Sequence, residues 1–129
     1  MGKNPHILLI DDNLTTVRLN KMVIEKVEDS AEIQTASDGR VALNLLQDFE
    51  QEGRPFPDLI FVDLKMPAMD GLEFYEKFRN LFRSRVADTK VVMLTTSLNF
   101  EDLQKAKSAG ITHYLNKPLT TMKVKEIFS

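Results

Sequence analysis

The sequence predicts an α/β fold, a doubly wound five-stranded parallel sheet with five helices distributed over both faces. Three observations lead to this prediction. Short apolar runs recur along the chain, stretches with helical apolar spacing separate them, and the connections between them are short. The predicted strands are residues 7–10, 32–36, 59–62, 91–94 and 112–115.

The first, third and fourth predicted strands are nearly continuous in Ile, Leu, Val, Phe and Met. Such runs are typical of strands buried on both faces of a parallel sheet, so helices should cover both sides. The intervening helices are indicated by apolar groups within residues 17–24, 41–49, 72–81 and 100–107, and a fifth helix by residues 120–129. Two loops, 51–57 and 83–90, look longer than the others.

Length and composition favour one compact domain, which we take as residues 1–129, because 43% of the 129 residues are hydrophobic. The 17 basic and 19 acidic side chains give a formal charge of −2, so no basic excess is available to hold nucleic acid directly. The lack of cysteine excludes a disulfide framework and a thiolate metal site. We find no signal peptide or membrane-spanning run, and we expect a cytoplasmic protein without a membrane partner.

Three aspartates close two of the predicted strands. Asp11 and Asp12 follow the first strand and Asp63 follows the third, so their carboxylates should meet at the carboxyl edge of the sheet. At about 4 Å and an effective dielectric constant near 20, each close pair repels by roughly 4 kcal/mol, which requires a cation or a raised pKa. Mg²⁺, which prefers oxygen ligands, suits this cluster. The alternative interpretation is that these aspartates are helix caps.

A hydroxyl and a lysine follow at the ends of the last two strands. Thr95 closes the fourth strand and Lys117 follows the fifth, and both side chains can bind a phosphoryl oxygen. Each residue alone is a weak signal, because a strand-end Thr is usually structural and a loop Lys is usually solvated. Together with the three aspartates, they occur in the order needed to surround one small anion.

These residues make the sequence similar to the receiver domain of bacterial response regulators, of the single-domain chemotaxis type. The resemblance covers almost the whole chain and implies the flavodoxin-like version of the predicted fold. Its motifs are Ile10-Asp11-Asp12, Asp63-Leu64-Lys65-Met66-Pro67 with Asp70-Gly71, Leu94-Thr95 and Lys117-Pro118.

The resemblance implies a metal-dependent phosphoacceptor site. Asp63 would be the phosphorylated residue, and Asp12 and Asp63 would bind Mg²⁺ directly, together with the backbone carbonyl of Lys65. Asp11 would hold a metal-bound water. The domain would catalyse only its own phosphotransfer and autodephosphorylation, and would therefore be a signalling switch and not an enzyme in the usual sense.

The same resemblance assigns the remaining site residues. Thr95 and Lys117 would bind the phosphoryl oxygens, and the Lys117-Pro118 peptide bond would be cis. Tyr114 matches an aromatic residue whose rotamer changes when the hydroxyl of Thr95 moves toward the phosphoryl group. Lys65, Thr96 and Ser97 match positions that influence how long the phosphoryl group lasts.

The partners implied by the resemblance are proteins. The phosphoryl donor would be a phosphohistidine on a sensor histidine kinase or a histidine phosphotransfer protein. The output surface would be the face built from the fourth helix, the fifth strand and the fifth helix, which would bind an unidentified downstream protein.

Three other interpretations remain at this point. A phosphatase with an aspartate nucleophile would usually carry an acidic residue two positions later, where Lys65 stands, and an inserted cap domain. A degenerate receiver that acts only as a scaffold is disfavoured by the presence of all five key residues. The chain can also be the receiver part of a longer DNA-binding regulator.

Overall fold

The computed structural model describes residues 4–96 and 99–129. Its strands are β1 (His6–Ile10), β2 (Glu32–Ala36), β3 (Leu59–Asp63), β4 (Lys90–Thr95) and β5 (His113–Asn116). Its α-helices are α1 (Leu14–Val27), α2 (Gly39–Glu52), α3 (Gly71–Leu81), α4 (Phe100–Ser108) and α5 (Thr121–Phe128). The strands form a parallel sheet in the order β2-β1-β3-β4-β5, so the predicted doubly wound fold is confirmed.

The apolar core lies in two layers, one on each face of the sheet. Successive side chains of a strand point to opposite faces, so Leu8 and Ile10 join one layer and Ile7 and Leu9 join the other. The first layer packs against α2, α3 and α4, and the second packs against α1 and α5. This alternation explains why the central strands are continuously apolar in sequence.

The strand order reverses between β1 and β3, which are hydrogen-bonded neighbours although β2 lies between them in sequence. Connections from these two strands leave toward opposite faces, which opens a crevice at their carboxyl ends. The loops after β1, β3, β4 and β5 all lie at this edge. The fold therefore places the predicted site residues on one side of the molecule.

Several element boundaries differ from the sequence prediction. β5 begins at His113 and ends at Asn116, one residue later than expected at each end, and α2 continues to Glu52 into the first long loop. The second long loop contains a 3₁₀ turn at Arg83–Arg85. Ser97, one of the residues linked to phosphoryl lifetime, lies outside the described residues. Within the described ranges, no helix has the length and apolar character needed to span a membrane.

Candidate functional site

Three carboxylates meet at the carboxyl edge of the sheet. Asp63 is the last residue of β3, and Asp11 and Asp12 directly follow the neighbouring strand β1. One oxygen of each carboxylate lies within 4.8 Å of an oxygen from both others. Asp11 and Asp63 are buried and Asp12 is exposed, so the cluster is closed at its base and open toward solvent. An all-oxygen cluster of this kind fits a hard divalent cation such as Mg²⁺.

The alternative interpretation of these aspartates as helix caps is wrong. The helix after β1 is capped by Asn13, whose side chain accepts a hydrogen bond from Thr16 N, and α3 is capped by Asp70. Asp11 instead uses Oδ1 to accept a hydrogen bond from Asn13 N at 2.9 Å. The capping residues thus leave the carboxylates of the cluster available for other contacts.

Lys117 supplies the positive charge that the acidic cluster needs. Its ammonium lies 2.9 Å from Asp11 Oδ2 and 3.2 Å from Asp63 Oδ2, and only 15% of its side chain is exposed. The Lys117-Pro118 peptide bond is cis. Lys117 N also donates a hydrogen bond to Thr95 O at 2.7 Å, which fixes the start of the loop after β5 to the end of β4.

Burial and charge shift the titration of both bridged groups. Burial raises the pKa of the Asp63 carboxyl above its ordinary value, Lys117 lowers it and the charge of Asp11 raises it again, leaving a net increase. Burial alone would lower the pKa of Lys117, but the hydrogen bond to Asp11 and the charge of Asp63 raise it above the ordinary value. The repulsion expected from the sequence is thus offset by the Lys117 ammonium and by a raised pKa of Asp63.

Thr95 ends β4 beside the acidic cluster. Its side chain is 3% exposed, and its strand neighbour β3 ends in Asp63, which pairs with Leu94. On its other side Thr95 pairs with Asn116 of β5. The predicted hydroxyl and carboxylate therefore come from adjacent strands at the same level of the sheet.

The loop from Leu64 to Asp70 holds the Asp63 carboxylate in place. Lys65 N donates to Asp63 Oδ1 at 3.3 Å, and Gly71 N donates to Leu64 O at 3.0 Å. A Cβ atom on Gly71 would lie 2.8 Å from the Asp63 carbonyl oxygen and 2.5 Å from Met93 Sδ. Only glycine therefore lets α3 begin this close to β3. The sequence showed Gly71 as part of a motif, but not this contact.

Sequence reasoning missed Asp102 in the first turn of α4. The ammonium of Lys65 lies 3.6 Å from Asp102 Oδ2, so the loop after Asp63 is joined to α4. The only signal in the sequence was the pair Glu101-Asp102 at the start of the fourth helix, which is typical of acidic residues near the positive end of a helix dipole. That pattern does not reveal a contact with Lys65.

Tyr114 lies in β5 opposite Met93 of β4. Its ring is partly buried and packs against the core layer that contains α2, α3 and α4. The β5 strand is an edge of the sheet, so this packing leaves the other side of the residue close to the surface. The arrangement agrees with a tyrosine that packs its ring at a strand edge.

An apolar groove, which we call the α1 groove, opens between α1 and the loop after β5, beside Lys117. It has a volume of about 470 Å³, and its lining includes Leu19, Met22 and Leu119. Leu19 and Met22 of α1 are 56% and 55% exposed, and they give the groove an apolar wall that is open to solvent. A larger cavity of about 650 Å³ lies at the amino ends of β4 and β5, at the opposite edge from the acidic cluster.

Comparison with known proteins agrees with this geometry. A family model described as the response regulator receiver domain matches residues 7–129. The probable methanogenesis regulatory protein FilR2 of Methanothrix harundinacea is 35% identical over 114 residues, covering 88% of this chain and 72% of that protein. The chain spans only 12% of a probable histidine kinase 2 of rice, to which it is 29% identical.

Solved structures give the same result. A two-component response regulator from Cytophaga hutchinsonii superposes with a TM-score of 0.89 at 30% identity, covering 98% of this chain and 96% of that one. The chemotaxis protein CheY4 of Vibrio cholerae gives a TM-score of 0.80 at 30% identity, covering 97% and 96% of the two chains. The chain therefore belongs to the response regulator receiver domain family and is a receiver domain of two-component signalling.

Proposed function

We propose that residues 1–129 form one receiver domain that accepts a phosphoryl group on Asp63 from the phosphohistidine of a sensor histidine kinase or a histidine phosphotransfer protein. The observation that carries the proposal is the position of Lys117, whose ammonium contacts both Asp11 and Asp63 at the sheet edge where β4 ends in Thr95. Phosphoryl transfer needs a positioned oxygen nucleophile and donors that offset the charge on the transferred oxygens. These residues supply each of them.

In the transfer step, a carboxylate oxygen of Asp63 forms the new bond to phosphorus, while the bond from phosphorus to the imidazole nitrogen of the partner breaks. The ammonium of Lys117, 3.2 Å from Asp63 Oδ2, donates to a phosphoryl oxygen and offsets its negative charge. The hydroxyl of Thr95 donates to another phosphoryl oxygen. Lys65 N, which donates to Asp63 Oδ1, keeps the carboxylate in one orientation during the attack.

The residues that would hold Mg²⁺ are Asp12 and Asp63, the backbone carbonyl of Lys65 and, through a water, Asp11. The fit rests on the three carboxylates, whose oxygens lie within 4.8 Å of one another. When bound, Mg²⁺ neutralises charge on the phosphoryl oxygens. Asp12 is exposed, so the cluster can be reached from solvent.

We further propose that the phosphoryl group is lost by hydrolysis in the same site. The oxygen of a water forms a bond to phosphorus, and the bond between phosphorus and the Asp63 oxygen breaks. The products are the free Asp63 carboxylate and inorganic phosphate. The domain thus catalyses its own phosphotransfer and autodephosphorylation, and its role is that of a switch.

The α1 groove supports a protein as the phosphoryl donor. A helix of the donor can lay its apolar side on Leu19 and Met22 and bring its phosphohistidine to the neighbouring acidic cluster. Donors of this class place the domain in the cytoplasm. A formal charge of −2 gives no support for direct contact with nucleic acid or with an anionic membrane surface.

The output surface is proposed to comprise α4, β5 and α5. Two large apolar side chains are exposed on its helices, Phe100 at 74% and Met122 at 71%, and they offer contacts for a downstream protein. Movement of Thr95 toward the phosphoryl group would let Tyr114 change its rotamer and alter this face. Amide hydrogen exchange tests this step, because protection should change more in α4, β5 and α5 than in α2.

Mass spectrometry tests the proposed function. The protein is incubated with a small acyl phosphate and Mg²⁺, and we expect the mass of one phosphoryl group to be added to the wild type and none to Asp63→Asn. Asp70→Asn is a matched control, because it removes a carboxylate that caps α3 outside the acidic cluster. An unlabelled wild type, or a labelled Asp63→Asn variant, would contradict the assignment of Asp63.

A further inference from the structure

An ion pair joins the loop after Asp63 to the first turn of α4. Lys65 Nζ lies 3.6 Å from Asp102 Oδ2. The two partners differ in their surroundings, because 70% of the Lys65 side chain is exposed but only 15% of the Asp102 side chain is. The carboxylate is therefore enclosed by the packed protein, whereas the lysine side chain lies largely in solvent.

One oxygen of the Asp102 carboxylate lacks a hydrogen-bond donor among the described residues. This oxygen, Oδ2, is buried. A distance of 3.6 Å is too long for a hydrogen bond, so Lys65 compensates the charge of this oxygen through electrostatic attraction. Since a buried carboxylate oxygen without compensation is unfavourable, Asp102 strongly favours keeping the ammonium nearby. The positive end of the α4 dipole stabilises the charge of Asp102, but it equally stabilises the charge of its exposed neighbour Glu101.

Lys65 also lies beside the phosphoacceptor. Its backbone N–H donates to Asp63 Oδ1 at 3.3 Å, and its side chain is a flexible four-carbon stem that ends in a compact charge. A phosphoryl group on Asp63 adds a charge of about −1.5 to −2 at neutral pH close to this stem. The phosphoryl group and Asp102 would then compete for one ammonium.

We propose that Asp102 is a positioning residue that holds the Lys65 ammonium away from the phosphoryl group and thereby shortens the lifetime of phosphorylated Asp63. This inference rests on the proposed function of Asp63. When Lys65 pairs with Asp102, the outer phosphoryl oxygens stay open to water, which attacks phosphorus and releases inorganic phosphate and the free carboxylate. When Lys65 is released from Asp102, its ammonium pairs with a phosphoryl oxygen and obstructs the approach of that water.

The test measures the rate at which the phosphoryl group is lost. The wild type and variants are labelled with a small acyl phosphate and Mg²⁺, the donor is removed, and the labelled fraction is followed by intact-protein mass spectrometry. We expect Asp102→Asn to lengthen the lifetime by about 1.4-fold to fivefold, the range given by the energies of partly exposed ion pairs. Asp102→Ala removes the side-chain oxygens altogether and should lengthen the lifetime similarly. Asp102→Glu keeps a carboxylate and should have a lifetime close to that of the wild type.

The Lys65→Gln background separates positioning from a structural effect. If Asp102 acts through Lys65, adding Asp102→Asn to Lys65→Gln should leave the lifetime of the single Lys65→Gln variant unchanged. Glu101→Gln is the matched control, because it removes the same charge from the same helix turn without an ion pair to Lys65. Its lifetime should equal that of the wild type.

Three results would overturn the inference. The first is an unchanged or shorter lifetime in Asp102→Asn and Asp102→Ala. The second is that Asp102→Asn lengthens the lifetime as much in the Lys65→Gln background as in the wild type, and the third is that Glu101→Gln lengthens it as much as Asp102→Asn does. Failure of the proposed function has a different signature. In that case the wild type takes up no label, and the assignment of Asp63 and the inference about Asp102 fall together.

Discussion

Replacing Lys117 by methionine tests the electrostatic balance of the site. The ammonium of Lys117 lies 2.9 Å from Asp11 Oδ2 and 3.2 Å from Asp63 Oδ2, and these two residues are 5% and 8% exposed. Methionine keeps much of the side-chain volume but removes the charge. Two nearly buried carboxylates would then face each other without the lysine.

The size of the effect follows from distance and burial. Two carboxylate charges no more than 4.8 Å apart repel by at least about 3.5 kcal/mol at an effective dielectric constant near 20. Removing one partner of a buried ion pair typically destabilises a protein by about 3–5 kcal/mol. Protonation of Asp63, whose pKa is already raised chiefly by burial, relieves part of the repulsion. We therefore expect Lys117→Met to lower the free energy of unfolding by about 2–3 kcal/mol at neutral pH without metal.

Mg²⁺ should offset part of this loss. At a hundred times its dissociation constant, a ligand that binds only the folded state stabilises it by about 2.7 kcal/mol. The variant should bind the ion more tightly than the wild type and gain more stability at the same Mg²⁺ concentration, because the ammonium no longer competes for Asp11 and Asp63. Added Mg²⁺ should therefore narrow the difference in stability between the two proteins.

Thermal unfolding with chelator and with excess Mg²⁺ measures both effects. A loss of 2–3 kcal/mol corresponds to a decrease in Tm of roughly 6–12 °C for a domain of this size. Lys123→Met is the control, because the ammonium of the partly buried Lys123 donates to the backbone carbonyls of Asn116 and Pro118 and pairs with no carboxylate among the described residues. Our reasoning would be refuted if Lys117→Met melted like the wild type in chelator, or if Mg²⁺ left the gap between the two unchanged.

Three further predictions concern the backbone and the opposite edge of the sheet. Gly71→Ala should destabilise the fold by about 1–3 kcal/mol, because its Cβ meets the Asp63 backbone. Gly39→Ala should change the free energy of unfolding by less than about 1 kcal/mol, since its Cβ meets the movable side chain of Met69. Urea unfolding measures both variants, and equal losses in Gly71→Ala and Gly39→Ala would contradict the proposed clash with the Asp63 backbone. Ala68→Gly should raise stability by about 0.5–1 kcal/mol, because Ala68 has a φ of 68°, and a lower Tm would disprove this. Burial and the charge of Lys90 lower the pKa of His113 below 6.5. Between that lowered pKa and 6.5 the unfolded chain binds the extra proton, so stability should rise with pH in this window and then level off. Measured by urea unfolding from about pH 5 to about pH 7.5, the free energy of unfolding should rise less with pH for His113→Gln than for the wild type. Parallel pH profiles of the two proteins would contradict the lowered pKa of His113.

Local sequence rules determined the fold class and the position of the site. Continuous apolar runs identified β1, β3 and β4 as central strands, and helical spacing identified the helices between them. Because the carboxyl ends of parallel strands share one edge, the sequence alone predicted that Asp11, Asp12, Asp63, Thr95 and Lys117 would lie together. The predicted ends of β5 and the predicted length of α2 were less accurate, since helix and strand ends depend on tertiary contacts.

Only the tertiary structure decided how these residues act on one another. Lys117 and Asp11 are 106 residues apart, and no sequence pattern states that the ammonium bridges two carboxylates that were expected to repel. The close approach of Gly71 to the Asp63 carbonyl and the pairing of Lys65 with Asp102 are equally hidden. Periodicity and strand order are properties of short segments and can be read along the chain. Distances between side chains depend on how helices and loops pack across the sheet, so they exist only in the folded molecule.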